Sequence, residues 1–328
     1  MNMKIAYFFL VYKNVEIVEK TILQLKNGVG RDDIYFLHID KNSHENFSRL
    51  LSIPNVIFAN KRFETKWGSP ELAFAVVSGL KELVVSTEFD YVILLSESDY
   101  PVKTPEYIHT FLQNSNKDHI LANPLPCNNP LSIPNCKWTE GGRRRINCYA
   151  LRLNEKNIST IEPRTFNFNN IRQFIKVLRY NPPKIKKAIN IFLNYPKRNH
   201  PSYLTPCGGH QWFILRRKTI EKLINYISQY PEYLEYCKYT QILDEILFPT
   251  LVYNLISNSK LSSDVLRFIN WAGGNSPKAL TDENIPLIKT CISSQNILFI
   301  RKIESIRITN TIDQLMSITN NKYKTSML

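Results

Sequence analysis

The chain has 328 residues, of which 43% are hydrophobic, so it can bury a sizeable core as one large domain or two closely packed ones. Its 42 Lys and Arg outnumber its 28 Asp and Glu, which gives a formal net charge of +14. It lacks an apolar run of membrane-spanning length, a cleavage site after its short apolar start, and zinc-type spacing among its six scattered cysteines. These absences favour a cytoplasmic protein with reduced thiols over a membrane-embedded, disulfide-framed or zinc-binding one.

Apolar periodicity in the first third of the chain alternates between that of strands and that of helices. Continuous apolar runs predict buried strands, whereas apolar residues at every third or fourth position predict helices. The predicted strands are 5–11, 33–39, 55–59 and 91–95, and the predicted helices are 15–25, 70–85 and 105–112. This alternation is typical of an α/β fold with a mainly parallel sheet covered on both faces.

Polar residues follow three of these strands. They are Lys13-Asn14, the HIDK sequence at 38–41, and the SESD sequence at 96–99. Ligands of open parallel sheets bind beyond the carboxyl ends of the strands, so a binding site is predicted there.

The second part of the chain has weaker periodicity. Four prolines between 124 and 134 indicate a long ordered loop. Beyond it we expect a strand at 211–215, helices at 218–227 and about 240–256, and a polar tail at 311–328.

A basic segment, residues 163–220, contains twelve Lys and Arg and no Asp or Glu. Such a segment attracts nucleic acid, anionic lipid head groups or phosphorylated substrates. Apolar residues interleave with its charges, which suits a membrane-surface helix better than a DNA groove, and no nucleic-acid motif accompanies it. A merely solvated basic face explains the pattern equally well.

Eight sequence blocks follow one another in an order that resembles a known family. The blocks are AYFFLVYK, HIDKNS, TKWGSPELAFA, LLSESDYPVKT, GGHQWFILRR, DEILFPTL, RFINW and LFIRK. The order is similar to that of the core-2/I-branching β-1,6-N-acetylglucosaminyltransferase family, which also holds the peptide O-xylosyltransferases. The resemblance runs from about residue 5 to 302 and indicates a bacterial-type member.

The resemblance implies a GT-A-like fold with a Rossmann-like sheet flanked by helices. We expect one domain over residues 1–310, with a nucleotide-binding half at 1–113 and an acceptor and catalytic half at 114–310. The implied reaction is inverting transfer from a UDP-sugar. The family does without the usual Asp-x-Asp metal site, so no cofactor is expected to be required.

The resemblance places the general base at Glu245. In the family, a Glu in a short Pro-Asp-Glu-type motif opens a helix and takes the acceptor proton. Here Asp244-Glu245 occupies that place, with Leu243 instead of the proline. A Glu in a first helical turn also complements the helix dipole, which is the structural alternative.

Basic residues replace the metal in the family by stabilising the departing diphosphate. The matching positions here are Lys302 and Lys278, and Lys278 stands where the family has an Arg. Arg301 could also help to stabilise the diphosphate. A Lys binds phosphate as a point charge and not bidentately. Alternatively, Arg301 and Lys302 only protect an edge strand.

Three further residues match the donor site of the family. Ile269 and Trp271 correspond to residues that pack near the donor sugar, although Trp271 could equally belong to the core. Asp40, after the second strand, could accept the uracil N–H or could be a turn residue.

Glu97 and Asp99 leave two alternatives open. They have the Glu-x-Asp spacing that could hold Mg²⁺ or Mn²⁺ and make the enzyme metal-stimulated, whereas the family has a small residue at the position of Glu97. We favour metal independence, with Asp99 ordering the loop and facing the sugar or acceptor.

Acceptor contacts are expected from residues that include Glu140, Arg143 and Arg145. The arginines suggest an anionic acceptor; surface solubility is their alternative explanation.

We therefore expect a glycosyltransferase that moves GlcNAc from UDP to a glycan hydroxyl, with UDP-xylose as the alternative donor. A lipid-linked acceptor at the inner face of an anionic membrane would explain the basic segment. The rival hypotheses are a nucleic-acid-binding protein, which the acids at the strand ends disfavour, and a catalytically dead nucleotide-sugar-binding module.

Overall fold

A computed structural model describes residues 3–28, 32–133, 136–271 and 276–325. The strands are β1 Ile5–Val11, β2 Ile34–Ile39, β3 Val56–Phe58, β4 Tyr91–Ser96, β5 Tyr100–Pro101, β6 Asp118–Ile120, β7 Asn123–Pro124, β8 Tyr149–Arg152, β9 Ile158–Ile161, β10 Cys207–Gly208, β11 Phe213–Arg216, β12 Leu261–Ser262, β13 Arg267–Ile269 and β14 Phe299–Arg301. The helices are α1 Val15–Lys26, α2 Glu71–Ser86, α3 Pro105–Ser115, α4 Arg143–Asn147, α5 Phe168–Tyr180, α6 Ile185–Asn194, α7 Arg217–Gln229, α8 Pro231–Cys237, α9 Leu247–Leu255, α10 Ile285–Ser293 and α11 Ile306–Thr325.

The central sheet contains seven strands in the order β12-β6-β11-β4-β1-β2-β3. Its strands pair in parallel except at β11, which runs antiparallel to both β4 and β6. Every residue of β1 and β2 is buried, as expected for strands covered on both faces. The predicted α/β fold with a mainly parallel sheet is confirmed, and it agrees with a GT-A-like fold.

Two apolar layers enclose this sheet. On one face, α2, α7 and α9 pack against Phe8 and Phe36, and on the other, α1 and α3 pack against Tyr7 and Phe9. Gly79 of α2 permits close contact, because a Cβ there would lie 2.4 Å from the ring of Phe8.

A smaller sheet in the order β13-β14-β5 joins the end of β4 to the C-terminal part of the chain. β13 and β14 are parallel, and β5, which begins four residues after the end of β4, runs antiparallel to β14. This sheet brings residues from around 100, 267 and 301 together at the carboxyl edge of the central sheet.

The helix expected over 240–256 is interrupted. Residues Leu243–Glu245 form a 3₁₀ turn, and α9 begins only at Leu247. The cause lies just before the turn: Ile242 is left-handed, with φ 52°, and its N–H donates to the carbonyl of Gly68. Because a left-handed residue cannot continue a right-handed helix, Glu245 lies ahead of the helix and not in its first turn.

The polar tail expected at 311–328 is described only as far as residue 325, and residues 326–328 lie outside the described part of the chain. Through residue 325 it is helical, as part of α11, and Ile312 and Met316 are buried against α10 and the small sheet. Apolar residues four positions apart lie on one helix face, a signal that the polar composition of the tail concealed.

Residues 168–194 of the basic segment contain α5 and α6, which pack on the β8–β9 hairpin, and the rest of the segment includes β10, β11 and the start of α7. Val177, Ala188, Ile191 and Phe192 supply the buried inner side of this pair of helices.

Candidate active site

Asp99 is the fully buried centre of the site at the end of β4. Its Oδ2 accepts hydrogen bonds from the backbone N–H and the hydroxyl of Ser96, both at 2.7 Å. Two guanidinium groups face the same carboxylate: Nε of Arg267 lies 3.0 Å from Oδ1, and Nη1 of Arg301 lies 3.3 Å from Oδ2. Oδ2 therefore accepts hydrogen bonds from the protein, whereas Oδ1 faces the Arg267 guanidinium without forming a hydrogen bond to it.

Arg267 and Arg301 also stack on one ring. Their guanidinium carbons lie 4.4 and 4.2 Å from the ring centroid of Trp212, just before β11. Burial lowers the pKa of Arg267 to about 10, and the neighbouring Asp99 opposes that effect, so the guanidinium stays charged at neutral pH. The rigid fork of arginine suits this double role of ion pair and stacking.

Glu97 shares the loop but not the ion pairs of Asp99. Burial raises the pKa of its carboxyl, Asp99 adds to this, and the cations Arg301 and Lys13 oppose it. Within the described parts of the chain, no cluster of three or more His, Cys, Asp and Glu could hold a metal.

The proposed phosphate-binding residues lie along the edge of the small sheet. Ile269 pairs with Arg301 in the parallel register of β13 and β14. The segment that carries Lys278 folds back on this edge, because the N–H of Lys278 donates to Asn270. Lys302 pairs with Glu304 at 2.5 Å and retains a partly exposed side chain. The structure thus brings the backbones of four of the six predicted donor-site positions, Ile269, Lys278, Arg301 and Lys302, to one edge.

A Gly-Gly-His segment connects this edge to the predicted base. The ring of His210 stacks on Trp271, with centroids 6.5 Å apart. Burial lowers the pKa of His210 to about 4, reinforced by Arg267, so the imidazole is neutral at neutral pH. The N–H of Gly209 donates to the carbonyl of Glu245, and a Cβ on Gly209 would lie 1.7 Å from the carbonyl oxygen of Leu121. A glycine is required for this close approach.

Glu245 forms an ion pair with Arg145, whose Nη1 lies 2.6 Å from Oε2. Burial raises the pKa of Glu245, and Arg145 opposes the increase. Burial, with the nearby charge of Glu245, also raises the pKa of Asp244 well above its usual range. Burial therefore favours the neutral form of both carboxyl groups, and at Glu245 the ion pair with Arg145 opposes that effect.

The ring of Trp138 packs against the guanidinium of Arg145 in this ion pair. The guanidinium of Arg145 lies 3.5 Å from its ring, and Gly142 and Gly208 leave room for the ring, because a Cβ at either would lie 2.8 Å from it. Arg145 is therefore held between an aromatic plane and a carboxylate.

The other predicted acceptor residues form a charged cluster beside this pair. Arg143 lies 3.5 Å from Glu140 and 3.1 Å from Glu162, and Asn169 donates to Glu140 at 2.6 Å. Of the three predicted acceptor residues, only Arg145 contacts Glu245.

Asp40 lies apart from these groups, at the end of β2. It is buried, and its carboxylate accepts the N–H groups of Asn42 at 2.7 Å and Thr65 at 2.6 Å. These are the bonds of a turn-forming residue, and uracil binding by Asp40 remains a prediction.

Comparison with known proteins places this geometry in a family. The model of the core-2/I-branching enzyme family matches residues 5–128 and 148–296. The chain belongs to this family. The predicted resemblance is thereby confirmed. Asp99, Arg267 and Glu245 lie within the matched ranges, whereas Arg145 and Arg301 lie outside them.

Several curated relatives are xylosyltransferases. The protein is 32% identical to xylosyltransferase oxt of Drosophila melanogaster over 114 residues, which are 33% of this chain and 13% of that protein. It is 22% identical to xylosyltransferase 1 of Rattus norvegicus over 74% of this chain and 25% of that protein, and 22% identical to the rat xylosyltransferase 2 over 82% and 26%. The chain matches about a quarter or less of the length of these relatives.

Three residues of this candidate site were not predicted from the sequence: Arg267, Trp212 and His210. All three lie inside the quoted blocks RFINW and GGHQWF. An arginine that begins an apolar strand must find a buried partner, and that signal alone could have identified Arg267.

Replacing Asp99 with Asn should cost roughly 3–5 kcal/mol of unfolding free energy, because it leaves two buried guanidinium groups without a counter-charge. Urea unfolding followed by circular dichroism measures this. The matched control is Glu97→Gln, which should cause no loss, because burial already disfavours the charged form of Glu97. Equal losses in both variants would contradict the central role of Asp99.

Proposed function

We propose that the protein is an inverting glycosyltransferase that moves a sugar from a UDP-sugar to a hydroxyl of a glycan. Membership of the branching-enzyme family supports glycosyl transfer in general. The observation that carries the residue assignment is the ion pair between Glu245 and Arg145. The N–H of Gly209 donates to the carbonyl of Glu245. The chain then continues from Gly209 to Trp212, whose ring contacts Arg301.

Glu245 is the proposed general base. Its carboxylate takes the proton of the acceptor hydroxyl while that oxygen forms a bond to C1 of the sugar. The C1–O bond to the diphosphate breaks on the opposite face, and its electron pair leaves with UDP. Arg145 favours the ionised form of Glu245 that the step needs.

Lys302 and Lys278 are proposed to stabilise the leaving diphosphate, with Arg301 as a nearby fixed charge. Lys302 can exchange Glu304 for a phosphate, since its side chain remains about one-third exposed, at 32%. Preorganised cations of this kind stabilise the charge that develops on the leaving group.

We propose that the reaction needs no metal. A cation bound between Glu97 and Asp99 would have to displace two guanidinium groups from Asp99, at 3.0 and 3.3 Å. In this proposal Asp99 positions Arg301 and does not ligate Mg²⁺ or Mn²⁺.

The proposed donor sugar is GlcNAc, and UDP-xylose is the alternative. The names of the xylosyltransferase relatives favour the alternative, whereas the branching enzymes favour GlcNAc. The acceptor is proposed to be a lipid-linked glycan that reaches Glu245 past Arg143 and Glu140.

UDP should bind equally well with Mg²⁺ or Mn²⁺ and with EDTA. Isothermal calorimetry measures this, and Lys302→Gln should weaken binding in both conditions by about tenfold, because it removes a charged phosphate contact. Lys289→Gln, on the exposed side of α10, is the matched control and should leave the affinity unchanged. Binding only in the presence of metal would show that Glu97 and Asp99 form a metal site.

Glu245→Gln should lower kcat by about a hundredfold or more while leaving the affinity for UDP unchanged, because it removes only the proton acceptor. Release of UDP from UDP-GlcNAc and from UDP-xylose, with a panel of glycan acceptors, measures turnover. Asp244→Asn is the matched control and should retain most of the activity. A larger loss in Asp244→Asn than in Glu245→Gln would transfer the base to Asp244.

Arg145→Gln should move the acid limb of the pH profile of kcat/KM to higher pH. Arg145 lowers the pKa of Glu245, so its removal raises that pKa, and the base then becomes protonated at a higher pH. Activity at neutral pH should fall and should partly recover in alkaline buffer. Arg145→Lys retains the charge and should keep the limb close to its original pH; a limb that does not move in Arg145→Gln would refute this role.

A further inference from the structure

The outward side of α5 and α6 exposes an unusually large set of apolar side chains. We call this surface, together with Phe166 just before α5, the outer face; its apolar members, with their exposed fractions, are Phe166 (91%), Phe168 (66%), Ile171 (56%), Ile175 (58%), Leu178 (52%), Ile189 (45%) and Leu193 (54%). At about 100° per residue, the four members on α5 fall within one stripe of the helix. Contiguous apolar surface of this kind marks an interaction site.

The fold does not need these side chains. Both helices already bury an inner side, made of Val177 on α5 and of Ala188, Ile191 and Phe192 on α6, against the β8–β9 hairpin. Each helix is therefore apolar on two sides, and only one of them belongs to the core. The second apolar side is explained by something outside the fold.

Basic side chains border the outer face. Arg172, Arg179, Lys186 and Lys187 are exposed on the same two helices, and no Asp or Glu occurs anywhere in the basic segment. The guanidinium of Arg172 lies 4.4 Å from the ring of Phe168, so charge and apolar surface are in direct contact. The partner of this face is therefore both anionic and able to bury aliphatic side chains.

We propose that the outer face docks on an anionic lipid bilayer, with the aliphatic side chains at the level of the acyl boundary and the lysines and arginines among the head groups. This arrangement is the one adopted by interfacial amphipathic helices. Nucleic acid would neutralise the positive charges but would leave Ile171, Ile175 and Leu178 exposed to water. No helix in the described ranges is long and apolar enough to cross a bilayer.

The same helix links this face to the candidate active site. On the inner side of α5, Asn170 accepts a hydrogen bond from Arg144 at 3.1 Å. Gln173 and Lys176 line a polar cavity of about 180 Å³ together with Trp138 and Arg145, the partner of Glu245. Docking through the outer face would hold this cavity about one helix diameter, roughly 10 Å, from the membrane surface. A lipid-linked acceptor could then reach the cavity without leaving the bilayer.

Co-sedimentation of the full chain with vesicles tests the proposal. The protein should bind vesicles of phosphatidylcholine mixed with phosphatidylglycerol and should bind much less to phosphatidylcholine alone. The triple variant Arg179→Glu, Lys186→Glu and Lys187→Glu should lose at least about a hundredfold in affinity, because each basic residue near the surface contributes severalfold. The double variant Ile175→Ser and Leu178→Ser should lose about tenfold or more, because it removes buried apolar area.

Two control proteins carry the same kinds of substitution at sites outside the outer face. Lys117→Glu, Lys260→Glu and Lys289→Glu change the net charge equally at exposed sites outside the outer face. Leu23→Ser and Val85→Ser remove two exposed apolar side chains from α1 and α2. Both control proteins should bind as the parent does, and circular dichroism checks that every variant is folded.

Several results would overturn the proposal. Equal binding to neutral and anionic vesicles, or equal losses in the control proteins, would mean that the outer face does not direct docking. Dissociation of a dimer by the Ile175→Ser and Leu178→Ser variant, seen by sedimentation velocity, would assign the face to a second copy of the chain. Binding to RNA or DNA without binding to vesicles would support a polyanion-binding role. Vesicle binding is measured without any sugar donor. A loss of vesicle binding is therefore distinguishable from a failure of the proposed transfer reaction.

Discussion

The contact of Asp99 with Arg267 and Arg301 is the constraint on which the rest of the site depends. It joins the loop after β4 to the first residue of β13 and the last of β14, although these residues lie far apart in the chain. A buried carboxylate is tolerated only when cations and hydrogen bonds compensate for lost hydration, and here two guanidinium groups and Ser96 do so. The small sheet is thereby attached to the large one. Lys302, the residue after Arg301, is positioned by the same attachment.

The two carboxylates that matter most are both controlled by arginine, with different consequences. Asp99 is fully buried and faces two guanidinium groups, which suits a positioning role. Glu245 meets one guanidinium, that of Arg145, and its side chain remains 21% exposed, which leaves it accessible to a substrate hydroxyl. The ring of Trp212 contacts Arg267 and Arg301, and the ring of Trp138 contacts Arg145, so each of these three arginines lies against an aromatic plane.

Much of the fold was predictable because apolar periodicity is a local property. The four parallel strands of the first third, and their helices, agree with the structure to within a few residues at each end. The break before α9 was not predictable, because it depends on a left-handed Ile242 bonded to the distant Gly68. The burial of Ile312 in α11 likewise depends on a surface supplied by other parts of the chain.

The sequence by itself determined which polar residues stand at the ends of the strands, and the family that their order indicates. It left open whether Asp99 serves a metal or the loop, because the spacing of Glu97 and Asp99 is the same in both cases. Only the tertiary structure decided that Arg267 and Arg301 occupy the carboxylate, since ion pairs form between residues that are close in space and not in sequence. The same reason applies to the outer face: interleaved charges and apolar residues were visible in the sequence, but which side of each helix was already buried was not.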